Sequence, residues 1–213
     1  MIRTLFRKDD HHAKESLSVH RVEALYDGVL AIAMTLLVLD IDIPATFDIY
    51  DSATLLNALS EIHLTFIDYF ISFFIIASFW VGNNTEFRFM KKTDHSNLWL
   101  MLITLFFIAL IPFTTSLQNV FSGIALSEII FHINVLIIVG LKYARWEYII
   151  RNKHLLNIEQ NSISETLLHV RLARRAILIP LAGIMLTFII KDYSNLIYIA
   201  FFFLRVRIKQ EKP

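Results

Sequence analysis

No cysteine occurs among the 213 residues. That excludes disulfides, thiolate metal ligands and a cysteine nucleophile. Glycine and proline are scarce, with 5 and 4 copies. So few leave little room for a flexible linker or a glycine-rich phosphate cradle, and neither G-x-x-x-x-G-K nor G-x-G-x-x-G is present. The net charge of +1 is too small to point to a polyanionic partner, and no nucleic-acid partner is expected. Nucleophiles and metal ligands do not cluster, so neither an enzyme, nor a metal site, nor a cofactor is expected.

Apolar residues are what the chain has in excess. They make up 56 % of it, and the mean hydropathy is +0.57; soluble domains average roughly 45–50 %. The excess falls in six blocks: Val22–Asp42, Ile62–Asn83, Leu98–Leu117, Gly123–Ala144, Leu172–Ile190 and the shorter Ser194–Val206. A spanning helix needs about 20 such residues. The pattern predicts an all-α polytopic membrane protein, with one six-helix domain over residues 1–213. The first block follows basic residues as a signal peptide does, but Asp27 interrupts it and five blocks follow, so a retained span is expected.

Charge orients the chain. Of its 20 Lys and Arg residues, 19 lie on one side, before the first block, after the second, after the fourth or after the sixth, counting Lys142, Arg174, Arg175 and Arg205 at the block ends that face these connections; Lys191 is the exception. The opposite connections carry Asp40, Asp42, Asp48, Asp51 and Glu61. Cytoplasmic loops are enriched in Lys and Arg, so both termini are expected in the cytoplasm. A short amphipathic helix is expected after Pro44, and the polar stretch 149–170 is expected to continue the fourth helix inward. Pro112 and Pro180 should bend the third and fifth spans. Trp99 and Trp146 read as interfacial anchors.

The first block, RVEALYDGVLAIAMTLLVLDID, organises the rest. At about 100° per residue, Gly28, Ile32, Thr35 and Leu39 share a stripe, flanked by Ala24 and Ala31 on one side and by Leu25 and Leu36 on the other. If several copies surrounded an axis, the apolar residues would form drying constrictions and Thr35 the hydroxyl ring between them. Small residues at this spacing also suit ordinary helix packing, so both readings stand on geometry alone. Asp27 lies off the stripe. An acid within a span marks a functional site by default, and its partner must come from another helix. Arg21, Asn83 and Asn84 are the expected members of a polar network with it. Asp68 and the pair Glu128 and His132, four apart on one helix face, are further polar positions inside spans. The pair reads as a structural contact, a metal pair or a proton relay, and these acids support the alternative of a proton-coupled transporter.

Arg21–Leu39 resembles the first-helix signature of the lysosomal potassium channel family, transmembrane protein 175. Its usual F-S-D stands here as Leu25-Tyr26-Asp27, sharing only the acid. Tyr69–Phe87 resembles the second-helix motif, with Asn83 and Asn84 in place of two histidines, and Asn97–Leu117 resembles the third helix. The resemblance implies a six-helix unit assembling as a homotetramer in a bacterial inner membrane, contacting lipid and passing potassium and other monovalent cations. It implies a pore lined by Ile32, Thr35, Leu36 and Leu39, and a network of Arg21, Asp27 and Asn83 or Asn84. An asparagine there can hydrogen-bond but cannot charge. Asp40 and Asp42 would gather cations at the outer mouth.

Overall fold

Lipid offers a backbone no hydrogen-bond partner, so each apolar block must close its own bonds as helix. The computed structural model describes residues 19–42, 51–157 and 163–199, and it is all-α. Eight α-helices are described: α1 Val19–Leu36, α2 Ser52–Glu61, α3 His63–Phe89, α4 His95–Ala109, α5 Ile111–Val120, α6 Ala125–Arg151, α7 Ile163–Ala176 and α8 Leu178–Ile190. Leu37–Asp40 extends α1, and Lys191–Tyr198 follows α8, both as 3-10 helix.

Five stretches are long and apolar enough to cross a membrane: Val19–Asp40, His63–Phe89, His95–Val120, Ala125–Arg151 and Ser164–Tyr198. They overlap the first five expected spans. The expected sixth is described only to residue 199, and there it begins as 3-10 helix packed on α8; the rest lies outside the described residues.

Proline sets the two internal breaks. Pro112 has no N–H to give Ile108, and the third span divides at Leu110 into α4 and α5. Pro180 has none to give Ala176, and the helix divides between α7 and α8 at Ile177. The helix expected after Pro44 is α2, started by Asp51, whose carboxylate accepts from Thr54 N at 2.8 Å. The fourth helix continues past its apolar block as expected, but only to Arg151; a 3-10 turn, Lys153–Leu155, follows it. Lys91 N and Asn157 N donate to Leu155 O and Phe89 O, pinning this turn to the end of α3.

The core lies between α1, α3, α4, α6 and α8, with Tyr26, Leu30, Ile76, Met101, Ile108, Phe131 and Ile138 at its centre. Between helices in lipid, close packing and polar contacts replace the hydrophobic effect as the cohesive force. A smaller cluster gathers Phe89, Trp146 and Val170. Trp146 is therefore not an interfacial anchor. It is 4 % exposed and stacks on His169 at 5.3 Å, because α6 extends past the apolar block and α7 folds back over it. Trp99 is exposed, its Nε1 donating to His95.

Candidate functional site

α1 has two unlike faces. Val22, Tyr26, Leu30, Ala33 and Leu37 repeat at steps of three and four and are buried against α3, α4 and α5. On the opposite side, Ile32 is 60 % exposed, Leu36 45 % and Leu39 73 %. Thr35, Ala24 and Ala31 are exposed with them, and a Cβ on Gly28 would meet nothing within 4 Å. The small residues of the stripe thus pack against no other part of their own chain among the described residues. Thr35 spends its hydroxyl hydrogen on Ile32 O at 2.8 Å. Its oxygen lone pairs remain directed outward, where they can act only as acceptors.

The helix tightens beyond Leu36. Three residues per turn instead of 3.6 advance Leu39 by about 60° beyond the α-helical register. Leu39 then stands over Leu36 and Leu25 rather than over Thr35. Asp40 closes the segment and lies beside Ser116 on α5. Ile41 is already extended, so Asp42 lies beyond the helix and is exposed.

The four residues expected as one polar network separate. Asp27 accepts from Trp80 Nε1 at 2.8 Å, so its partner does come from the second span. Asn83 is turned three residues further round α3, is 1 % exposed, and accepts from Lys142 Nζ on α6. Asn84 is half-buried on the Trp80 side, and Arg21 is exposed. Among the described residues no hydrogen bond joins Arg21 to Asp27, or Asp27 to either asparagine. The reason is helical phase: Trp80 and Asn84 point toward the open side of α3, and Asn83 points into the bundle.

Asn83 instead belongs to a charged cluster that the hydropathy reading left in the loops. Glu86 bridges Arg145 Nη2 and Lys142 Nζ, each at 2.9 Å. Arg145 is fully buried, its guanidinium 5.8 Å from the Tyr26 ring centre, and its Nη1 donates to Tyr26 Oη at 3.4 Å. Tyr26 Oη in turn donates to Met101 O at 2.7 Å. The buried face of α1 is therefore anchored through Tyr26 to α4 and α6. One signal was present in the sequence: Lys142 and Arg145 are three apart and share a helix face, with Glu86 the acid nearest the end of the facing apolar block.

At the other end of the bundle, Glu128 and His132 are buried but not bonded to each other. Ser194 lies between them, 2.9 Å from His132 Nε2 and 3.4 Å from Glu128 Oε2. Tyr198 Oη is 2.7 Å from His132 Nδ1. Asp68 accepts from Asn195 at 2.8 Å. Among the described residues no group of three or more His, Asp or Glu side chains is placed to hold a metal ion.

Comparison with known proteins bears on α1 most directly. Residues 21–112 match the model of the family described as "Endosomal/lysosomal potassium channel TMEM175". That part of the chain is similar to the TMEM175 family. A protein named potassium channel from Chamaesiphon minutus is 33 % identical over 105 residues, 49 % of this chain and 51 % of that one. Another so named, from Streptomyces collinus, is 35 % identical over 97 residues, 46 % of each. The Homo sapiens relative, named endosomal/lysosomal proton channel TMEM175, is 34 % identical over 113 residues, 51 % of this chain and 22 % of the human one. The chain thus spans about half the length of the bacterial relatives it matches. The fold also matches the crystal structure of a lysosomal potassium-selective channel TMEM175 homolog from Chamaesiphon minutus, with a TM-score of 0.75 at 23 % identity, over 89 % of this chain and 97 % of that one. The matching family and these bacterial relatives are named as ion channels and not as an enzyme class.

Proposed function

We propose that this protein is a potassium-favouring cation channel of a bacterial inner membrane, with α1 as its pore helix in a homotetramer. One observation carries the reading: α1 buries the Val22, Tyr26, Leu30, Ala33 and Leu37 face in its own bundle and leaves Ile32, Thr35, Leu36 and Leu39 uncovered. Four such faces around an axis make a path with apolar constrictions and a ring of hydroxyl oxygens. A ring of oxygens replaces part of a cation's water shell, and apolar rings close by drying. Thr35 suits that task because its proton is already committed to Ile32 O. Asp40 and Asp42 would raise the local cation concentration at the outer mouth. Trp80, holding Asp27, would fix the rotation of α1 about its own axis. The names of the bacterial relatives support potassium as the favoured ion.

The absence of cysteine makes the test clean. A single cysteine at position 32, 35, 36 or 39 is the only thiol in the protein. Reconstituted channels should pass potassium down its gradient without ATP or a second solute. A charged thiol reagent should block the Thr35→Cys variant and leave a variant with cysteine at the buried Leu30 unaffected. Leu39→Ser should increase leak. A strict stoichiometry between potassium and protons would instead favour a proton-coupled transporter using Asp27, Asp68 or Glu128. The names of the animal relatives make proton conductance the other quantity to measure in the same vesicles.

A further inference from the structure

The acidic end of each subunit holds a pocket that α1 does not line. Its volume is about 110 Å³, and its wall includes Glu61, Asp68, Gln118, Asn119, Glu128 and Asp192. Glu61 is exposed at the rim, so the pocket opens to water, while Asp68 and Glu128 are buried at its base. No Lys or Arg lines it. Each of the three inner acids spends one oxygen on a neutral donor: Asp68 on Asn195, Glu128 on Gln118 and Ser194, and Asp192 on Gly123 N. The second oxygen of each remains for an occupant.

An independent feature points to what the occupant is. Gln118 is 1 % exposed, and its Oε1 has no hydrogen-bond partner among the described residues. A buried acceptor left in this way costs free energy on the order of 1–3 kcal/mol unless something fills the gap. Both polar ends of the Asn119 side chain are likewise enclosed and without a partner. Acceptor oxygens and carboxylates, with no nitrogen or sulfur ligand, suit a hard cation. We propose that this pocket binds a hydrated divalent cation of the magnesium type, one per subunit and away from the pore axis. Magnesium keeps several of its waters and takes one or two carboxylates directly. No group of three or more His, Asp or Glu among the described residues is placed to hold a metal ion, so no more than two of the carboxylates here would meet the ion directly and the rest would meet its waters. Occupation would hold α5 against α3 and α6. Because Ser116 on α5 also lies beside Asp40 at the far end of α1, the ion would bear on the pore mouth.

The test needs no ion flux, so it stands apart from the channel reading. Purified protein in detergent is titrated with Mg²⁺, and the unfolding temperature is followed against choline chloride and KCl at equal ionic strength. A ligand of the native state raises stability with a saturable concentration dependence. Mg²⁺ should raise the unfolding temperature and saturate, while the two monovalent salts should not. Mn²⁺ bound at one per subunit, seen by electron paramagnetic resonance, should be displaced by Mg²⁺. The Asp68→Asn, Glu128→Gln double variant should lose both signals. Glu61→Gln changes only an exposed rim residue and should weaken Mn²⁺ at least threefold. Glu23→Gln, at the far end of α1, should change nothing. Equal effects of choline or KCl, or Mn²⁺ retained by the double variant or unaffected by Glu61→Gln, would overturn the proposal.

Discussion

The two ends of the bundle solve the burial of charge in opposite ways. At the end facing the basic connections, Glu86 is enclosed with two cations, Lys142 and Arg145, and with Asn83 and Tyr26. At the other end, Asp68, Glu128 and Asp192 meet amides, a hydroxyl and a backbone N–H, and no cation among the described residues. The first arrangement is closed: both cations share the one acid Glu86, so it cannot change without stranding them. The second is open, since its acids are held in place by neutral donors and retain oxygens for something that comes and goes. The contrast separates a lock from a receptacle. The lock sits behind α1, at Tyr26. The receptacle sits at the opposite end of the bundle.

Glu86→Gln should break the lock, with a larger effect than any change at the open end. It leaves Arg145, fully buried, without its counter-charge. Removing one partner of a buried pair typically costs about 3–5 kcal/mol. Chemical unfolding in detergent micelles should show a loss of that order, and Glu86→Gln combined with Arg145→Met should recover a good part of it. A cost below about 1 kcal/mol for the single variant would mean that the pair is not sealed.

Gly183→Ala should come next, and it probes the other end. A Cβ there would stand 2.6 Å from the His132 ring. The ring cannot retreat without releasing Ser194 or Tyr198. Overpacking of this kind costs about 1–3 kcal/mol. The same unfolding assay should place it between the lock variant and the neutralised acids. Glu128→Gln and Asp68→Asn keep an acceptor for Gln118 and for Asn195, and each should cost less than about 1 kcal/mol in metal-free buffer. If either cost as much as Glu86→Gln, the two ends would not differ in kind.

Much of this was legible in the residues. Apolar blocks gave the first five spans, and a period of 3.6 gave the stripe Gly28, Ile32, Thr35 and Leu39 that the structure leaves uncovered. Both follow from local rules. The change to 3-10 winding at Leu37 did not show, because no proline or glycine marks it. Nor did the lock, for a reason of scale. α3 and α6 have 27 residues each, which at 1.5 Å per residue is about 40 Å, longer than the hydrocarbon layer of roughly 30 Å. Their ends carry charged residues that hydropathy assigns to loops, and which of these face each other is decided by the packing of two helices far apart in sequence. The polar network of Arg21, Asp27, Asn83 and Asn84 came apart for the same reason. Adjacent residues on a helix point about 100° apart, so Asn83 and Asn84 could not both face Asp27.

The smallest effect belongs to an exposed acid at the open end, and it shows how much of the contrast rests on burial. Asp51 caps α2, with Thr54 N donating to its carboxylate and Thr54 Oγ1 accepting from Asp51 N at 3.1 Å. The Thr54 N–H holds the Asp51 carboxyl below its ordinary range. A folded-state pKa lower than the unfolded one adds stability that is complete above the unfolded value, about 3.9, and is lost as the pH falls through the folded one. Protection of the 52–61 amides from hydrogen exchange, corrected for intrinsic rates, should therefore hold from pH 7 to about 5 and decline below 4. Asp51→Asn caps equally well and cannot titrate, so it should keep the protection and lose this decline. Asp51→Ala should lose protection at every pH. Salt should weaken the Asp51 contribution, because the group stands in water where charges are screened within about 10 Å at 0.1 M. The same salt should leave the cost of Glu86→Gln nearly unchanged, since no water lies between Glu86 and Arg145 at 2.9 Å. Equal salt sensitivity at the two sites would show that the lock is wet.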